Sequence, residues 1–75
     1  MNGIKRETIR EMNGRVIGYI DIMPNGDKEV RDMYNRYIGR YDKHMDATRD
    51  YAGRFLYRGD QSSMLFNLKN SLGDR

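Results

Sequence analysis

Ten arginines, six tyrosines and eleven carboxylates in 75 residues are the side chains with chemistry to offer, and their spacing decides what kind. Arg15, Arg36, Arg40, Arg54 and Arg58 recur at equivalent places along the chain, interleaved with Tyr19, Tyr37, Tyr41, Phe55 and Tyr57. Guanidinium groups beside rings are the equipment of single-strand nucleic-acid binders, which hold phosphates with one and stack bases on the other. Asp21, Asp42 and Asp60 invite a glycosidase-like reading as acid and base. They recur at one position of a repeat, however, which is where strands end and turns are capped. His44 sits between Lys43 and Met45 with Asp42 and Asp46 nearby, but no nucleophile can be paired with it, so a solvated turn histidine is its plainer reading. With no cysteine there is no disulfide, thiolate catalysis or Cys-based zinc site, and one histidine cannot make a metal cluster. The glycines are spaced for turns, and none belongs to a phosphate-binding loop leading into a helix. No catalytic, cofactor-binding or metal-ligating residue is assigned, and the chain reads as non-enzymatic.

An internal repeat positions these groups. Arg10–Asp21, Arg31–Asp42 and Arg49–Asp60 align without gaps: Arg, acid, two variable residues, Gly or Asn, Arg, an apolar or aromatic residue, Ile or Leu, and a final Asp. Glu11-Met12-Asn13-Gly14, Asp32-Met33-Tyr34-Asn35 and Asp50-Tyr51-Ala52-Gly53 each read as a type I turn closed by a left-handed residue, a conformation Gly and Asn tolerate. Each unit is therefore a β-hairpin. Pro24-Asn25-Gly26 and Lys43-His44-Met45 supply the intervening turns, which predicts a mainly β meander of about six short strands over residues 4–60.

Simple alternation from the turns sets a register. It pairs Glu11 with Arg15, Arg10 with Val16 and Ile9 with Ile17; Asp32 with Arg36, Arg31 with Tyr37 and Val30 with Ile38; Asp50 with Arg54, Arg49 with Phe55 and Thr48 with Leu56. Three arginines then face an acid at a hairpin mouth, and Arg31 and Arg49 face rings, where cation–π contacts orient them. This structural use of the arginines is the stronger reading, because a net charge of +3 leaves little positive field for a phosphate backbone. Ile9, Ile17, Val30, Ile38 and Leu56, with Thr48, form the expected core.

After Asp60 the period changes. Met64, Leu65, Leu68 and Leu72 recur at helical spacing, with Asp60 placed as N-cap and Gly73 as the residue after the helix, predicting one amphipathic C-terminal helix over 61–72. Its apolar side is expected to pack on the sheet or on a second subunit.

Composition bounds the rest. At 37% hydrophobic and 33% charged, the chain is one small domain, residues 1–75, with a thin core. Met1 to Arg6 contains no apolar run of the kind a secretory leader carries, and no stretch approaches the roughly 20 apolar residues of a membrane span. A cytoplasmic protein without membrane attachment is the expectation.

Gly14-Arg15-Val16-Ile17-Gly18 and Asp50-Tyr51-Ala52-Gly53-Arg54 resemble the turn motifs of the small bacterial domains called four-fold β-flowers, in which short hairpins radiate around a common centre. The resemblance spans residues 9 to 60 and implies an arrangement without enzymatic activity. This chain has three clear units, with a helix where a fourth would stand.

The expected function is a non-enzymatic protein-binding or assembly module that self-associates, since a thin core gains from burial between chains. The candidate interaction surface is Tyr37, Tyr41, Phe55, Tyr57, Arg31, Arg49, Arg40 and Arg58. Nucleic-acid binding through the same Arg and Tyr side chains is the alternative, and a small inhibitor of a larger enzyme is a second.

Overall fold

Four of the five chain reversals close in the same way. The N–H of Glu11, Met23, Asp32 and Asp50 donates to the carbonyl of Arg15, Asp27, Arg36 and Arg54, at 2.8 to 3.0 Å. Inside each loop, Gly14, Gly26, Asn35 or Gly53 donates back to the first residue's carbonyl at 2.9 Å. These four residues have φ of 91°, 96°, 69° and 86°, the left-handed conformation the turn motifs call for.

The computed structural model describes residues 3–67, and the turns link strands β1 (Lys5–Arg10), β2 (Val16–Ile22), β3 (Lys28–Asp32), β4 (Tyr37–Asp42), β5 (Ala47–Asp50) and β6 (Phe55–Arg58). All six join one antiparallel sheet in chain order, the mainly β meander that the repeat predicts. Residues 64–67 are helical. Leu68, Leu72 and Gly73 of the expected 61–72 helix lie outside the described residues.

The register departs from simple alternation at the same point of every repeat. The first pairs form as expected: Arg10 with Val16, Arg31 with Tyr37, Arg49 with Phe55. Beyond them Ile9 pairs with Gly18 instead of Ile17, Val30 with Gly39 instead of Ile38, and Thr48 with Tyr57 instead of Leu56. Ile17, Ile38 and Leu56 are thus the extra residues of three equivalent β-bulges. The cause lies in the apolar spacing of β2, where Ile17, Ile20 and Ile22 are three and then two residues apart. Strict alternation would send Ile20 and Ile22 to the face opposite Ile17, whereas one inserted residue gathers all three on one side.

The side thus formed carries the core. Ile20, Val30, Leu65 and Phe66 are buried together, with Ile9, Ile17, Ile22, Ile38 and Leu56 packed around them. All the expected core aliphatics take part, joined by Ile20 and Phe66, which hairpin spacing alone did not single out. The helical face differs from expectation, since Leu65 and Phe66 face inward while Met64 is exposed.

Thr48 takes a more specific place than an aliphatic stand-in. It is fully buried, its hydroxyl donates to Gly59 O (2.7 Å), and it accepts from Gln61 N–H (2.9 Å). Lys28 adds a 2.6 Å ion pair to Asp60. Together these contacts fold the segment after β6 back over the apolar face. Asp60 Oδ1 then accepts from the N–H and hydroxyl of Ser62, capping the turn before the helical residues.

Two glycines inside strands form the seat. A Cβ on Gly18 would lie 2.3 Å from both Arg31 O and Phe66 Cε1, and one on Gly39 would lie 2.6 Å from Arg49 O and 2.8 Å from Leu65 Cδ1. These glycines therefore do not serve turns, as their spacing suggested; they let the helical segment approach the sheet.

Candidate interaction face

The sheet's other side is covered by nothing among the described residues. Period-2 alternation through the observed register places Arg6, Tyr19, Asp21, Glu29, Arg31, Tyr37, Arg40, Arg49, Phe55 and Arg58 there. Six of the eight candidate residues, Arg31, Arg40, Arg49, Arg58, Tyr37 and Phe55, are thereby brought onto one face. The other two are not. Tyr41 and Tyr57 flank Thr48 on the covered side, and Tyr41 is buried within the chain. The bulges decide this division, because they reverse the orientation of every residue that follows them in β2, β4 and β6.

Much of the open face is laced together. Arg6 grips Asp21 with two bonds of 2.7 and 2.9 Å, and Arg31 bridges Asp21 (3.4 Å) and Glu29 (3.0 Å). The paired Arg6 guanidinium holds the Asp21 carboxyl below its ordinary value, against the opposing effect of burial. Arg40 reaches Asp27 at 2.6 Å, while its Nε is buried without a partner. Arg6 also lies 4.6 Å from the centre of the Tyr19 ring and Arg31 lies 6.0 Å from that of Tyr37. The expected Arg31–Tyr37 contact is present.

Arg49 behaves otherwise. Its Nη1 donates to Gly53 O (3.2 Å), as Arg31 donates to Asn35 O (3.3 Å) and Arg10 to Gly14 O (2.9 Å). This repeated position is therefore an arginine that ties down the carbonyl of its own left-handed turn residue. Neither Arg49 nor Arg58 has an acid partner among the described residues, and both share the open face with Phe55, which is 57% exposed.

Acids at the hairpin mouths divide by length. Asp32 pairs with Arg36 (2.8 Å) and Asp50 with Arg54 (2.9 Å), as expected. In the first unit Glu11 forms no such pair, and the Arg15 N–H turns to Asn13 Oδ1 instead (2.9 Å). The extra methylene of Glu prevents the tight aspartate loop that accepts backbone N–H groups at short range. Asp42 accepts from Met45 N–H (3.2 Å), so it caps a turn, like Asp60; Asp21 instead lies within a strand.

Asp46, left-handed at φ 50°, accepts the Tyr41 hydroxyl at 2.7 Å, and this bond together with burial pushes the phenol up to about 12. His44 is exposed in that loop, and no cluster of metal-ligating side chains occurs among the described residues.

The tips of the three repeat hairpins add residues that the pattern left unnoticed. Turns 11–15, 32–36 and 50–54 share one end of the meander, where Met12, Tyr34 and Tyr51 project into solvent. Their signal in the sequence is a large side chain at a turn position where small polar residues are usual. No described helix is long and apolar enough to cross a membrane. No family model, curated protein or solved structure matches the chain.

Proposed function

We propose that the protein is a non-enzymatic protein-binding module that self-associates through its open sheet face. The observation that supports this best is the convergence of Arg31, Arg40, Arg49, Arg58, Tyr37 and Phe55 on a face bare of other described elements. Arg and aromatic residues are the types enriched at interface hot spots. With principal extents of 33, 29 and 19 Å, the molecule has room on its broad side for the roughly 800 Å² per partner of a standard interface. The ion pairs already formed across β1 to β4 supply a fixed polar surround, and Phe55 supplies an apolar anchor. The likeness of the turn motifs to four-fold β-flower domains accords with a role without catalysis.

Sedimentation equilibrium tests the reading. The chain is expected to run above its monomer mass of 8.9 kDa, and Phe55→Glu to return it to the monomer without loss of the β-sheet circular dichroism signal. A monomer at every concentration would count against self-association.

Nucleic-acid binding is the second reading, favoured by Arg49 and Arg58 beside exposed Phe55. It calls for affinity that falls steeply with salt. The net charge of +3 argues against it, since it leaves little positive field to hold a phosphate backbone.

A further inference from the structure

Two arginines at the hairpin end are held in a way that the rest are not. Asp32 and Asp50 are buried at their turns, and each Oδ1 accepts two backbone N–H groups: those of Tyr34 and Arg36, and those of Ala52 and Arg54. Each Oδ2 accepts the Nε of the arginine four residues on, at 2.8 and 2.9 Å. The guanidinium plane is therefore anchored at Nε by a carboxylate that the backbone itself holds. The outward side of each guanidinium, with its two Nη groups, is left toward solvent, and the Arg36 and Arg54 side chains are 65% and 77% exposed.

Apart from Arg31, which pairs with Asp21 and Glu29, the same end carries five arginines, Arg10, Arg15, Arg36, Arg49 and Arg54, against Glu11, Asp32 and Asp50, and two of these acids are buried. Arg36 and Arg54 immediately precede β4 and β6, with β5 between, and the register offsets them by two residues along the strands, so they stand roughly 12 Å apart along the backbone. Tyr34 lies 5.2 Å from the Arg36 guanidinium and supports it.

We infer that Arg36 and Arg54 form a two-point receptor for the carboxylates of an acidic segment on a partner protein. The inference rests on the protein-binding reading for its class of partner, but uses the hairpin end and not the open face. An Nη pair presented in a fixed plane matches the two oxygens of a carboxylate, and the fixed plane means little side-chain freedom is lost on binding. Nucleic acid fits less well. The Tyr34 ring already has the Arg36 guanidinium over one face and Tyr37 has that of Arg31, so among the described residues at this end only Tyr51 and Phe55, beside Arg54, offer a base a ring with no cation over it.

Arg15 is the internal control: it has the same repeat position but no anchoring aspartate. Fluorescence anisotropy at low salt, with a labelled glutamate–serine repeat peptide as probe, is expected to show binding. Affinity should weaken about tenfold in Arg36→Gln and in Arg54→Gln and stay within about twofold in Arg15→Gln. Should either variant unfold, the wild-type chain still decides: on peptide titration the Nε–H signals of Arg36 and Arg54 should shift in nitrogen-15 spectra and that of Arg15 should not. Absence of peptide binding, or equal losses in all three variants, would overturn the inference. So would tighter binding of oligothymidine through the same two arginines, which would make the hairpin end a nucleic-acid surface. Sedimentation of the same samples separates the two claims, because self-association without peptide binding removes only this one.

Discussion

Gly18→Ala unfolds far below the parent chain, by about 3 kcal/mol or about 12–24 °C in Tm for a domain of this size. The added Cβ would lie 2.3 Å from Arg31 O, a backbone atom of the neighbouring strand, and equally close to the Phe66 ring. Relief requires either parting β2 from β3 or lifting the helical segment from its seat, and both undo the core around Ile20, Val30, Leu65 and Phe66. Gly14→Asn serves as the contrast. Gly14 is left-handed with open space around it, and Asn35 already occupies the matching place in the second unit, so the change should cost less than about 0.5 kcal/mol. Thermal unfolding followed by circular dichroism distinguishes these outcomes. A Gly18→Ala chain as stable as Gly14→Asn would mean that the helical segment does not rest on that strand.

Asp32→Ala lowers stability by about 2–3 kcal/mol and flattens the acid limb of the stability profile. The substitution leaves the N–H groups of Tyr34 and Arg36 and the Arg36 Nε without their acceptor. For Asp32 itself, burial pushes the carboxyl upward, but the Arg36 and Tyr34 hydrogen bonds together outweigh it and hold the group below its ordinary 3.8. Asp50 is lowered chiefly by the Arg54 N–H, Asp21 chiefly by Arg6, and Asp60 by Lys28 and Ser62 against burial. All four are depressed on folding, so the unfolded chain binds more protons, and the stability they confer is complete above 3.8 and lost as pH falls through their folded values. Urea midpoints measured from neutral pH to about pH 2 should hold steady and then drop below about pH 4, less steeply in Asp32→Ala. A profile that begins to fall near neutral pH would show that other groups govern acid unfolding.

The two predictions act on different parts of the repeat. Gly18 belongs to its strand half and concerns the approach of the helical segment, whereas Asp32 belongs to its turn half and concerns how a hairpin is closed. Arg36 joins the turn half to function, since the bond that steadies the hairpin also fixes the guanidinium offered to a partner.

Local chemistry was legible without a structure. Left-handed Gly14, Asn35 and Gly53 follow from turn sterics, and the aspartate–arginine pairs follow because a short carboxylate four residues before an arginine closes on itself in such a loop. The bulges are written in the apolar spacing of β2, but alternation counted outward from the turn assumes an unbroken ladder and passes over them. That single residue of slip exchanged Gly18 for Ile17 in the pairing and sent Tyr41 to the covered face while bringing Arg40 to the open one.

By itself, then, the chain's sequence determined its hairpins, their order and two of the three expected turn-closing ion pairs, Asp32–Arg36 and Asp50–Arg54 but not Glu11–Arg15, all of which depend on residues within a few positions of one another. The tertiary structure decided which strand glycines seat Leu65 and Phe66, that Thr48 clamps the returning segment, and which arginines keep an outward side. These depend on groups far apart in the chain, such as Gly18 and Phe66 or Thr48 and Gln61. No local pattern encodes such meetings; they follow only once the sheet has formed and the segment after β6 has turned back across it.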